Sequence, residues 1–211
     1  KSYTVERNVM KSMTAFEVET EQPVQILYTS TDGSVIIPNT TTFGSAKIVS
    51  NVYENGQGVI PFDRTITSVP NNAFKSQTKL VTISLPESVT SIGNYAFSDC
   101  TRMTTISASG TTSVGQYAFY NCAKLVDISF PNLKTIDGYA FHKCVGLTTV
   151  NLPNVTTIRA YAFSGCTNMT SIKFPKLSGV IRTNAFCNCS SLKSVIIPND
   201  VTAMERYAFD G

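Results

Sequence analysis

Apolar positions along the chain recur in a compound rhythm of 22 or 23 residues. The dipeptide Ala-Phe ends at Phe74, Phe97, Phe119, Phe141, Phe163, Phe186 and Phe209, at spacings of 23, 22, 22, 22, 23 and 23. Each unit repeats one frame, clearest from Leu80: Leu80, Ile83, Leu85, Pro86, Val89, Ile92, Ala96, Phe97 and Cys100. Leu125 and Leu147 open further copies, and Met103, Met169 and Leu192 open the others. Two periods alternate inside the unit. The segment L-x-x-I-x-L-P closes in period-2 alternation, which predicts a short half-buried strand that Pro ends where no ladder N–H is needed. Ala96, Phe97 and Cys100 fall instead at i, i+1 and i+4, which predicts one short helical turn. A strand, a corner and a turn in so few residues cannot enclose a core alone. Successive copies must therefore stack, giving a solenoid with one continuous interior.

Residues 1–58 lack the full frame, although SVIIPN at Ser34 to Asn39 is identical to Ser194 to Asn199. Gln25 to Tyr28 and Ser34 to Ile37 flank Thr31-Asp32-Gly33, while Ile48 to Tyr53 and Gly58 to Phe62 flank Glu54-Asn55-Gly56-Gln57, so both pairs predict β-hairpins. The chain is accordingly divided into a β-rich N-terminal cap, 1–58, and repeats over 59–211. Within 1–20, Val5, Val9 and Met13 allow an amphipathic helix, whereas Phe16 to Thr20 alternates like a strand.

The pattern L-x-x-L-x-L-P-x-x-L-x-x-I-G-x-x-A-F-x-x-C resembles the BspA-like, treponemal-type leucine-rich repeat, from about residue 59 to 211. The resemblance implies a leucine-rich-repeat solenoid with a parallel β-sheet on the concave side, short helical turns on the convex side and an N-terminal β-hairpin cap. It also implies a surface protein of a host-associated microbe, several such proteins being adhesins that bind host or bacterial proteins. Two copies depart from the pattern, with Ala108-Ser109 in place of aliphatic-Pro and with Gly179-Val180-Ile181 before the turn. Both sites are expected to be bent or locally loose.

Composition narrows the function. Charged residues make up 15% of the chain against 27 Thr and 22 Ser, so hydroxyls and amides must form most of the surface. The net charge of +3 is too small and too scattered for a nucleic-acid binder. The aliphatic runs Val35 to Ile37 and Val195 to Ile197 stop at Pro38 and Pro198, far short of the roughly 18 residues of a membrane span. The missing initiator Met and the abrupt Asp210-Gly211 end predict a piece of something longer.

Candidate chemistry is sparse. Cys100, Cys122, Cys144, Cys166 and Cys189 each stand three residues after the repeat Phe, which predicts a buried column of reduced thiols. Cys187 and His142 both follow a repeat Phe directly, a position expected to face outward as free thiol and solvated imidazole. No zinc spacing, catalytic triad motif or phosphate loop occurs, so no catalytic residue, metal or cofactor is expected. Tyr95, Tyr117, Tyr139, Tyr161 and Tyr207, two before the Phe, predict an aromatic ladder that seals a corner. Asn39, Asn154, Asn168 and Asn188 head formal glycosylation sequons.

The outward strand positions form a flat hydroxylated face whose candidate binding residues are Asp127, Thr149, Asn151, Lys173 and Lys193. Arg159 and Arg182, both four before the Phe, are expected as neighbours able to grip one anionic group. These features favour a non-enzymatic recognition or adhesion module, cell-surface or secreted, whose partner is a protein of the host matrix or cell surface. The alternative is a structural spacer displaying another domain. A binder should show a clustered break in the columns, and a spacer uniform columns throughout.

Overall fold

The computed structural model describes residues 24–211, so the helix-or-strand alternatives within 1–20 lie outside the described residues. The first strands are β1 (Gln25–Ser30), β2 (Thr42–Phe43), β3 (Ala46–Lys47), β4 (Val52–Glu54) and β5 (Gln57–Pro61). The hairpin about Glu54 to Gln57 forms as β4–β5, with Glu54 opposite Gln57. The other hairpin does not. Ser34 to Ile37 makes no strand, and β1 lies instead between β5 and β7 (Leu80–Ser84), antiparallel to both. Ile36 explains the change, because it turns inward to 2% exposure and its N–H donates to the buried Tyr28 hydroxyl at 3.2 Å. The solenoid's open N-terminal edge is thus closed by antiparallel strands.

Each coil then contributes a concave strand: β7, β9 (Thr105–Ser107), β11 (Asp127–Ser129), β13 (Thr149–Asn151) and β15 (Ser171–Lys173). Ile83, Ile106, Ile128, Val150 and Ile172 alternate into the core, as the period-2 pattern requires. These five parallel strands do not form one sheet. The first three continue the cap as a six-stranded sheet, β11-β9-β7-β1-β5-β4, whereas β13 and β15 pair separately. The strand expected about Val195 to Ile197 is absent as well.

A second sheet occupies what the sequence presented only as a corner. The two-residue strands β6 (Ser68–Val69), β8 (Ser91–Ile92), β10 (Ser113–Val114), β12 (Thr135–Ile136) and β14 (Thr157–Ile158) stack in parallel. The final coils pair β16 (Gly179–Ile181) with β17 (Val201–Met204), with a register shift between Gly179 and Val180. The irregularity expected at Gly179 takes the form of this shift. At Ala108-Ser109 none occurs, since Ala108 is buried and donates its N–H to Ser129. Thr111 stays inside by donating its hydroxyl to the Val89 carbonyl.

The Ala-Phe segments are not helical. They are successive turns whose peptide groups point alternately within the coil and along the stack. In the first, the N–H groups of Asn72, Phe74 and Ser76 donate to the carbonyls of Asn94, Ala96 and Ser98 in the next coil. The same three axial bonds cross all six intervals between the seven turns. Aiming them demands left-handed backbone two residues before and two after the Phe, seen at Tyr139 (φ 60) and Lys143 (φ 62). Between these residues the Phe rings form an unbroken ladder, buried from Phe74 to Phe186 and half-buried at Phe209, with successive centroids 4.9–5.6 Å apart.

Candidate functional site

The concave sheet carries two outward rows. Thr82, Thr105 and Asp127 are register partners, as are Ser84, Ser107 and Ser129. Thr149 and Asn151 extend the rows beyond the gap, paired with Ser171 and Lys173. Of the predicted site residues, Asp127, Thr149, Asn151 and Lys173 therefore share this face. Lys193 is exposed on a segment without strand pairing, so it leaves the array. An open depression of about 440 Å3 spans Thr29, Gln57, Thr82, Ser107, Asp127 and Ser129. A second, of about 350 Å3, brings Asn151 and Lys173 against Phe174, Pro175 and Ile196, the last 87% exposed.

Arg159 and Arg182 sit in successive coils on the second sheet's flank, yet neither is a free cation. Arg159 pairs with Asp137 at 2.8 Å and Arg182 with Glu205 at 2.8 Å. Thr183 donates both its N–H and its hydroxyl to Glu205, and together with the guanidinium these hold the carboxyl down at about 2. The two carboxylates occupy the same column as the arginines, four before Phe141 and Phe209, so the column could have revealed them. Both arginines line a depression of about 320 Å3 with Tyr117, Tyr139, Gly138 and Ala160.

The column cysteines are buried and free, and each thiol donates to the Phe carbonyl of the preceding coil, as Cys144 does to Phe119 at 3.0 Å. Burial pushes the Cys100 and Cys189 thiols up to about 12. Cys187 is not outward but buried at 8% exposure, in a column where Ser98 and Ser164 are also buried. His142 likewise is not a solvated side chain. Its ring packs 5.6 Å from both Tyr120 and Tyr139, its Nδ1 is sealed without a hydrogen-bond partner, and burial lowers its pKa. Tyr95, Tyr117, Tyr139 and Tyr161 stack face to face with centroids 4.5–4.8 Å apart, whereas Tyr207, beyond the interruption at Asn184, stands outside the ladder at 53% exposure. Among the described residues no group of three His, Cys, Asp or Glu side chains is placed to hold a metal ion. No helix among them is long and apolar enough to cross a membrane.

Comparison with known proteins agrees with this architecture. A leucine-rich repeat protein of T. pallidum superposes with a TM-score of 0.63 at 29% identity, over 67% of this chain and 68% of that one. A leucine-rich repeat protein of Bacteroides ovatus gives 0.68 at 23% identity, over 84% of this chain but 49% of its own. A leucine-rich cell surface protein of Faecalibacterium prausnitzii gives 0.53 at 24% identity, over 70% and 46% of the two chains. Among curated proteins the chain has no match. The BspA type leucine rich repeat region matches in six copies, over residues 46–169 and 106–211. With most of its length in these copies, its Ala-Phe turns in register and its concave strands parallel, the chain belongs to the BspA-type leucine-rich repeat family.

Proposed function

We propose that this chain is a non-enzymatic recognition module of a cell-surface or secreted protein, which binds a protein partner through its concave sheet. The repeats of 59–211 form the recognition unit, and the described part of the N-terminal region, 24–58, covers its first coil. One observation carries the reading. The outward rows of the concave strands run through successive coils without serving the core, whereas the Phe, Cys and Tyr columns are consumed by packing within the stack. A face of hydroxyls with Asp127 and Lys173 but no large apolar centre lacks the buried anchors of a tight interface. Affinity from one copy is therefore low, and firm adhesion depends on many copies acting together. The family and the surface protein of F. prausnitzii support the location.

The test is adhesion of beads bearing the chain at high density to plates coated with extracellular-matrix proteins. Replacing Asp127 and Lys173 of the concave rows, with the exposed Lys193 outside them, together by Ser should abolish adhesion and leave the melting temperature nearly unchanged. Undiminished adhesion by the triple variant would move recognition away from the concave face. Adhesion by neither protein would favour the second reading, a spacer, which the regular three-bond axial ladder supports by tying every coil to the next.

A further inference from the structure

The columns are uniform over much of the stack but break together on one flank. Four residues before the repeat Phe the column reads Pro70, Gly93 and Gly115, then becomes charged at Asp137, Arg159, Arg182 and Glu205. Three before the Phe it carries Asn71, Asn94 and Gln116, loses its side chains at Gly138 and Ala160, and regains them at Thr183 and Arg206. Both breaks fall at the same coils, and there the surface sinks into the depression of about 320 Å3. It is lined by Gln116, Tyr117, Tyr139, Arg159 and Arg182, with the short Gly138 and Ala160 as its floor. Such a volume lies at the small end of ligand sites, about 300–1,000 Å3.

The chemistry of the walls selects the ligand. The two guanidiniums that line it are each paired with a carboxylate outside the lining, Asp137 and Glu205, so their charge is already compensated and little is left for an anion. Each guanidinium nevertheless keeps unused N–H donors, and Gln116 adds to the lining an amide that both donates and accepts. Glu205 is fixed further by Thr183. Vicinal hydroxyl groups, each both donor and acceptor, match alternating donors and acceptors, and the tyrosine hydroxyls add two more partners of that kind. The tyrosine faces are occupied by one another, so the ligand meets ring edges and is held chiefly by hydrogen bonds.

We propose that this flank is a binding site for a neutral saccharide, separate from the concave protein-binding face. The experiment applies the full chain to a printed array of neutral and acidic oligosaccharides and follows retained neutral ligands by titration. Ala160→Gln fills the floor with the side chain that Gln116 already places in this column, so the fold accommodates it. Arg159→Met removes donors from the wall. Each variant should weaken binding of the retained neutral oligosaccharide about tenfold or more, while its melting temperature stays within a few degrees of the parent. The concave triple variant should bind the saccharide like the parent, which separates this site from the concave reading. Absence of any retained neutral oligosaccharide, retention confined to acidic ones, or full binding by Ala160→Gln would each overturn the proposal.

Discussion

At the scale of the residue, the stack is decided by groups whose role depends on what the neighbouring coil supplies. The cysteine column was legible as packing, because a small apolar side chain at a fixed offset must meet its copies. Its hydrogen bonds were not legible, since the acceptor is a Phe carbonyl 25 or 26 residues earlier. Cys187 and His142 depart from expectation for one reason. The position after the Phe is expected to face outward, and in the actual turns its side chain packs within the stack. Thiol titration should therefore find essentially none of the six cysteines reactive in the native protein and all six after denaturation without reductant. A native count of one would return Cys187 to the surface. His142 gives a pH test. Burial depresses its folded pKa below the unfolded 6.5, so the unfolded chain binds the proton more readily. Stability from the neutral imidazole is present above about pH 6.5 and is lost as pH falls from there toward the folded pKa. His142→Gln should flatten that part of the melting-temperature profile, and an unaltered profile would show that the imidazole titrates as in water.

At the scale of the element, strands were legible and turns were not. Alternation of Ile83, Ile106 and Val150 with hydroxyl residues gives the concave strands directly, whereas Ala-Phe-x-x-Cys spacing imitates a helical turn. A turn with tyrosine or lysine in left-handed backbone is a reading that propensity discourages, since each such residue costs roughly 1–2 kcal/mol. Three axial hydrogen bonds and stacked rings on both sides offset it here. Gly165 shows the unstrained choice at that position. Ser76, exposed at φ 61, should accept glycine with a gain of about 0.5–1 kcal/mol in denaturant unfolding. A loss of stability instead would mean that Ser76 is not strained. The two SVIIPN segments teach the complementary lesson. In the cap Ile36 is buried and Ile37 is 69% exposed, whereas in the last coil Ile196 is 87% exposed and its two neighbours turn inward. One hexapeptide thus presents opposite faces, and only tertiary partners decide which. The partner of Ile36 is Tyr28, whose hydroxyl donates to Asn51 at 2.7 Å and lies over Gly58, where a Cβ would meet the ring at 2.0 Å. Tyr28→Phe leaves the buried Ile36 N–H and Asn51 oxygen without that partner and should cost about 1–3 kcal/mol, read from chemical unfolding. A neutral result would show that water takes the hydroxyl's place.

At the scale of the whole molecule, coherence is unequal across the three faces of the stack. The turn column bonds across every interval, whereas the second sheet ends at β14 and the concave sheet parts between β11 and β13. No sequence feature announced this seam, because the frames from Leu125 and Leu147 are both complete, and nothing in the structure explains it. Its consequence is specific. In neighbouring intervals Thr104 donates to Val81, Val126 to Thr104 and Thr170 to Thr148, and on the other side of the strands Ala108 donates to Ser129 and Leu152 to Lys173. The corresponding bonds from Thr148 to Val126 and from Phe130 to Asn151 are not made. The concave wall is therefore held at this level by side-chain packing alone, while the Phe ladder and the turns still tie the coils together from behind. Any opening of a stack fastened on one side and parted on the other would hinge about the fastened side and split the candidate concave face between Asp127 on one part and Thr149, Asn151 and Lys173 on the other. Native-state hydrogen exchange should accordingly find the amides of Thr148 and Phe130 exchanging at least tenfold faster than those of Thr170 and Ala108, which hold equivalent places in bonded intervals. Equal protection at Thr148 and Thr170 would show the sheet closed in solution, and the concave face would then be one rigid surface from β7 to β15.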